Sequence, residues 1–123
     1  MELEALTNQL KQELIPLKQR FETNEKPEDR RDKQFFLFVK EETTPFFEMV
    51  KEWEEKALQF VKNKEVTVHP QQVASTSDNL QIILMNSYYI DTPKTRYMEM
   101  YQSIVFVLDQ LLADIKRLRD GQG

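Results

Sequence analysis

The chain has 123 residues, 40% hydrophobic and 11% aromatic, which is enough for one domain with its own core and too few for a catalytic domain plus a separate binding domain. It has only two glycines, Gly121 and Gly123, and no cysteine, which excludes glycine-rich phosphate loops, zinc ribbons, disulfide frameworks and thiolate chemistry, and argues against hairpin-rich β folds. Seventeen basic against twenty-one acidic residues give a formal net charge of −4, so the positive excess that general phosphate binding requires is missing.

The elements follow in chain order. Leu3, Leu6, Leu10, Leu14, Leu17 and Phe21 recur at steps of three and four, the stripe of one amphipathic helix. Pro16 interrupts that helix without breaking the phase of the stripe, so a kinked helix is predicted and not two helices. A turn around Pro27, from Asn24 to Glu28, follows. The second helix is predicted from about Asp29 to Lys62, with Phe35, Val39, Thr43, Phe46, Val50, Trp53, Ala57 and Phe60 on its seam. Pro45 lies mid-helix. Thr44 and Pro45 could open a fresh helix, but the unbroken phase favours a kink. Asn63 to His69 reads as a connecting loop. Pro70 opens the third helix, whose seam is Val73, Thr76, Leu80, Ile83, Ser87 and Ile90 and which ends near Asp91. Thr92 and Pro93 read as an N-cap and a first-turn proline. The fourth helix then carries Tyr97, Tyr101, Ile104, Leu108, Leu111, Ile115 and Leu118 on its seam. Lys116, Arg117 and Arg119 suit the negative end of its dipole, and Gly121 stops it.

Helices joined by connections of about five, seven and two residues must fold back on one another. The predicted fold is therefore all-α: one antiparallel up-down-up-down four-helix bundle spanning residues 1–123, with proline kinks in helices 1 and 2. A membrane span needs about 20 apolar residues, whereas the longest apolar runs here are Ile104 to Leu108 and Ile82 to Met85. No membrane association is expected, and the cytoplasm is the expected location.

In size, helix layout and the stretches TPFFEMVKEWEEKAL (Thr44 to Leu58) and HPQQVASTSDNL (His69 to Leu80), the whole chain resembles the YppE-like family of small bacterial proteins from bacilli. The resemblance implies a four-helix bundle. It brings no activity, cofactor or site residue with it.

Catalytic constellations are sparse. A ferritin-like di-metal site needs two Glu-x-x-His pairs, but His69 is the sole histidine and Val66 stands where its glutamate would be. Glu41, Glu48, Glu52 and Glu55 fall opposite Val39, Val50 and Ala57 on the second helix, the pattern of a solvated face and not of inward metal ligands. Ser75, His69 and Asp78 form a triad only on paper, with no nucleophile elbow. Arg30 and Arg31 have partners within helical reach and no interleaved exposed aromatics. Lys94, Arg96 and the C-terminal cations are the remaining nucleic-acid candidates. No catalytic, cofactor-binding or metal residue is predicted.

The apolar surplus is the more informative signal. On the second helix Phe36, Phe47 and Leu58 fall on one flank of the seam and Phe38 and Met49 on the other, as in a helix packed between two neighbours. On helices 3 and 4, Met85, Tyr88, Tyr89 and Phe106 point away from their seams. They could form an outward contact patch. Alternatively Tyr88 and Tyr89 fold back over the turn at Asp91 and Thr92, leaving Phe106 singly exposed. The resulting expectation is a non-catalytic interaction module that docks a protein partner or a further copy of itself. A small-ligand-binding or carboxylate-metal enzyme bundle is the alternative.

Overall fold

The structure, a computed structural model, describes residues 1–23, 32–62, 65–89 and 92–121. Four helices are present among these residues: α1 (Glu2–Thr23), α2 (Lys33–Lys62), α3 (Pro70–Tyr88) and α4 (Lys94–Gly121). The predicted turn at Asn24 to Glu28, the start of the second helix at Asp29 with Arg30 and Arg31, and the third-helix end at Ile90 and Asp91 lie outside the described residues.

The apolar stripes become the core almost position for position. In α1, Leu3, Leu10, Leu14, Leu17 and Phe21 are buried, while Thr7 is buried and Leu6 only half-buried. Thr7 can occupy the interior because its hydroxyl donates to the Leu3 carbonyl at 2.7 Å and accepts the Trp53 indole N–H at 3.0 Å. In α2 every seam residue from Val39 to Phe60 is buried, and Phe35 is half-buried. The α3 seam is buried through Ser87. Tyr97, Ile104, Leu108, Leu111 and Ile115 of α4 are buried, with Tyr101 and Leu118 half-buried. α1 and α2 continue through Pro16 and Pro45.

Local chemistry sets the helix ends. Asp32 Oδ1 accepts the Gln34 and Phe35 backbone N–H groups at 2.9 and 3.3 Å, an N-cap one residue before α2. At α3 the Gln72 side chain reaches back to accept the His69 backbone N–H at 2.9 Å, and Pro70 fills the first helical position. Thr92 departs from its expected capping role. Its hydroxyl donates to Asn86 Oδ1 at 2.9 Å, tying the approach to α4 onto α3, and α4 opens with the Tyr97 N–H bonded to the Pro93 carbonyl.

The helices pack around one core: α1 against α2, α3 and α4, and α3 against α2 and α4. Along α1 and α2, Lys56 pairs with Glu2 at 3.4 Å, Trp53 with Thr7, and Phe38 with Arg20. Along α1 and α4, Arg119 pairs with Glu4 at 3.1 Å, Lys11 with Asp109, and Phe21 stacks on Tyr97 at a ring separation of 3.8 Å. Between α2 and α3, Glu54 accepts from Ser77 at 2.7 Å and Phe38 meets Tyr88. Between α3 and α4, Gln72 meets Gln110, and Ser87 shares a 2.8 Å hydrogen bond with Tyr97.

Candidate interaction surface

α2 has 30 residues, whereas α1 and α3 have 22 and 19. At 1.5 Å per residue α2 is longer than either neighbour by roughly 10 Å or more. Its opening turns, which read KQFFLFVK, carry apolar side chains all round the helix, whereas among the described residues only α1 and α3 pack against it. Phe35 and Phe38 do make contacts, at the far end of α3: Phe35 meets Tyr89 edge to face at 5.2 Å, and Phe38 meets Tyr88 at 6.3 Å. The Arg20 guanidinium of α1 lies over the Tyr88 ring at 4.3 Å and near Phe38 at 5.5 Å, closing the cluster from a third helix. Burial raises the Tyr88 phenol above its ordinary value, with Arg20 acting the other way and Glu42 adding to the rise. Around this knot Phe36, Leu37 and Phe38 remain 54%, 52% and 43% exposed. The flank positions Phe36 and Phe38, expected against neighbouring helices, are thus open to solvent, while Phe47, Met49 and Leu58 further along are half-buried as expected.

The four expected contact residues do not share one surface. Tyr88 is only 8% exposed and Tyr89 is half-buried against Phe35, so both support the aromatic end of the bundle from below. The Tyr89 hydroxyl is buried without a hydrogen-bond partner among the described residues. Met85, one turn before Tyr89, keeps 37% exposure. Phe106 is 66% exposed but lies between Tyr97 and Gln110 on α4, the residues level with Ser87 and Gln72, and so sits near the middle of the bundle. Beside it a groove of about 390 Å³ runs between α3 and α4, lined by His69, Gln72, Ser75, Thr76, Asn79 and Ser103 among others. His69, Ser75 and Asp78 are exposed.

A second cleft, of about 360 Å³, opens between α1, α2 and α3, with Leu17, Phe46, Met49 and Leu84 among its apolar lining and Pro16 and Pro45 both on its walls. Glu41, Glu48, Glu52 and Glu55 are exposed, as their helix phase requires. Among the described residues no group of three or more histidine, aspartate or glutamate side chains could hold a metal ion, and no helix is long and apolar enough to cross a membrane.

One polar centre was not anticipated. Asp114 of α4 is 2% exposed and accepts the Thr67 and Val68 backbone N–H groups at 3.0 and 3.1 Å, and the Thr67 hydroxyl at 3.0 Å. Arg117 stands 3.6 Å away and donates to the Glu65 carbonyl. These bonds fasten the segment before α3 to α4 and bury Val68. The signal was in the sequence: a carboxylate three residues after Leu111 and directly before Ile115 stands on the buried seam, where it needs donors.

Comparison with known proteins agrees with this picture. No curated protein matches the chain. The X-ray crystal structure of protein yppE from Bacillus subtilis, a structural-genomics target, matches with a TM-score of 0.78 at 21% identity, covering 97% of this chain and 96% of that one. That likeness establishes the shared fold. A family model described as a bacterial domain of unknown function, DUF1798, matches residues 7–115. The chain therefore belongs to the DUF1798 family of small bacterial proteins, the YppE-like group that its sequence resembles.

Proposed function

We propose that this protein is a non-catalytic interaction module of the cytoplasm, an antiparallel up-down-up-down bundle bent at Pro16 and Pro45, which docks a protein through the aromatic end formed by α2 and α3. The topology reading is supported by the order of the pairings, in which Glu2, Thr7 and Arg20 meet Lys56, Trp53 and Phe38, and Glu4, Lys11 and Phe21 meet Arg119, Asp109 and Tyr97. The bends follow from chemistry: neither proline has an N–H for the carbonyl four residues back.

The observation that carries the functional reading is the run Phe36, Leu37 and Phe38, each about half exposed at one end of an otherwise well-buried core. Contiguous exposed apolar surface with aromatics is characteristic of protein contact sites. The centre of the proposed surface is thus the start of α2, with Met85, Tyr88 and Tyr89 beside and beneath it and Phe106 outside it. The test is recovery of bound protein from a bacterial extract with tagged wild type, Phe36→Glu and Phe106→Glu. Wild type and Phe106→Glu should retain the same protein and Phe36→Glu should lose it. An identical set from all three would overturn the reading.

The cleft between α1, α2 and α3 favours a second reading, a binding bundle for a small ligand, because its apolar floor and the carboxylates of Glu13 and Glu42 would suit an amphipathic cation. A thermal-shift screen over such ligands that leaves the melting temperature unmoved would remove it.

A further inference from the structure

The exposed ridge at the start of α2 carries a charge pattern as well as an apolar one. Lys33, Leu37 and Glu41 follow one another at i, i+4 and i+8, so they lie within about 80° of one another on the helix, and all three are exposed. Leu37 stands nearly opposite the buried Val39 and Phe46 and is 52% exposed, with Phe36 and Phe38 on its flanks. Lys33 and Glu41 are about 12 Å apart along the axis, too far to neutralise each other within the chain. Neither has an ion-pair partner among the described residues.

We infer that the occupant of this ridge is a second copy of the chain, docked so that the two α2 starts cross in opposite directions about a two-fold axis at Leu37. The inference rests on the docking role proposed for the aromatic end and names its partner. A two-fold contact places position 37+n of one copy opposite 37−n of the other. Glu41 then lies level with Lys33 of the second copy, and the reverse, Leu37 meets itself, and on the two flanks Phe36 and Phe38 each approach their own counterpart, with the two Lys40 side chains on one edge about 9 Å apart along the axis. The charges nearest the seam are thus paired with opposite sign, the flanks are apolar, and the Lys40 pair stays apart along the axis. The parallel alternative would set Lys33 against Lys33, Lys40 against Lys40 and Glu41 against Glu41, an arrangement that like-charge repulsion disfavours. The contact covers only about three turns, so the dimer should be weak, with half-association at roughly 10–100 µM.

Sedimentation of the purified chain from about 5 to 500 µM at low salt should show concentration-dependent dimerisation. Lys33→Glu and Glu41→Lys should each weaken it by about tenfold or more, because each substitution creates two like-charge oppositions. The double variant Lys33→Glu/Glu41→Lys should return to within about threefold of wild type, since it only reverses the pairs. Leu37→Asp should abolish association and Phe106→Glu should leave it unchanged. All these positions are exposed, so melting temperatures should hold and loss of fold is not the cause of any effect. A wild type that stays monomeric throughout, or a double variant no better than either single, overturns the second-copy assignment. If the wild type is monomeric yet Phe36→Glu still loses a protein retained from extract, only this assignment falls and the docking role stands. If both experiments fail, both fall.

Discussion

Tyr97 concentrates several of the forces that hold this core. Its ring is fully buried and stacked on Phe21, and its hydroxyl shares a hydrogen bond with Ser87, which in turn donates to the Ile83 carbonyl at 2.7 Å. Burial pushes the phenol from 10.0 up to about 12, with the Ser87 hydrogen bond opposing in part. The direction of the pH effect follows. Below about pH 10 the phenol is protonated in both folded and unfolded chains, and its contribution to stability is fully present. Between about pH 10 and 12 the unfolded tyrosine ionises while the buried one keeps its proton, so stability falls as pH rises through that window. The loss reaches roughly 2 to 3 kcal/mol once the window is passed and is about half that at pH 11. Urea unfolding at pH 8 and pH 11 should show this extra alkaline loss in wild type and not in Tyr97→Phe, and equal losses in the two would contradict it. A comparable logic governs Trp53, whose indole N–H is satisfied in the interior only because Thr7 stands where an uninterrupted apolar stripe would place a hydrocarbon.

Between helices, the chain relies on side-chain acceptors where glycine turns are absent. The approach to α3 is held by Asp114 from below and by the Gln72 hydrogen bond at the helix start, and the approach to α4 by Thr92 on Asn86. The Asp114 centre is the strongest of these, because a carboxylate accepting two backbone N–H groups is a charge-assisted arrangement in a nearly dry site. Asp114→Ala should therefore strand the buried Val68 N–H and destabilise the protein by about 2 to 3 kcal/mol, with Asp114→Asn retaining part of the loss-prone bonds and falling between. Chemical denaturation measures the total, and amide exchange at Thr67 and Val68 should accelerate more than exchange in mid-α1. Uniform acceleration throughout would mean that Asp114 supports the whole core and not this junction. The start of α2 shows the opposite situation: Phe38 is level with Arg20 of α1 and Tyr88 of α3, yet the apolar side chains there surround the helix and Phe36, Leu37 and Phe38 stay largely in water.

Across the whole molecule one continuous apolar cluster runs from Leu3 to Ile115 and draws on every helix, so no part of the bundle has a separate core to fall back on. Unfolding followed by Trp53 fluorescence and by far-ultraviolet circular dichroism should accordingly give coincident transitions, and separated midpoints would show an independently melting helix. Much of this architecture is readable from residue order. The periodic stripes from Leu3 to Phe21, Val39 to Phe60, Val73 to Ser87 and Tyr97 to Ile115 determine the helices, their buried faces and the outward position of the α2 carboxylates, because a helical period of 3.6 residues leaves little freedom about which side chains share a face. The start of α3 at Pro70 is equally local, since a proline fits the first helical position and no interior one without loss. Three-dimensional packing decided the rest. Whether Phe36 and Phe38 are covered depends on which sides of α2 its neighbours occupy, and whether Tyr88 and Tyr89 turn outward depends on rings and a guanidinium supplied by other helices. Asp114 finds its donors in a segment 46 and 47 residues away, a distance no local pattern encodes. The helices were written in the spacing of apolar residues, while the exposed aromatic end arose because α2, among the described residues, packs only on α1 and α3, which leaves the aromatic side chains facing away from them uncovered.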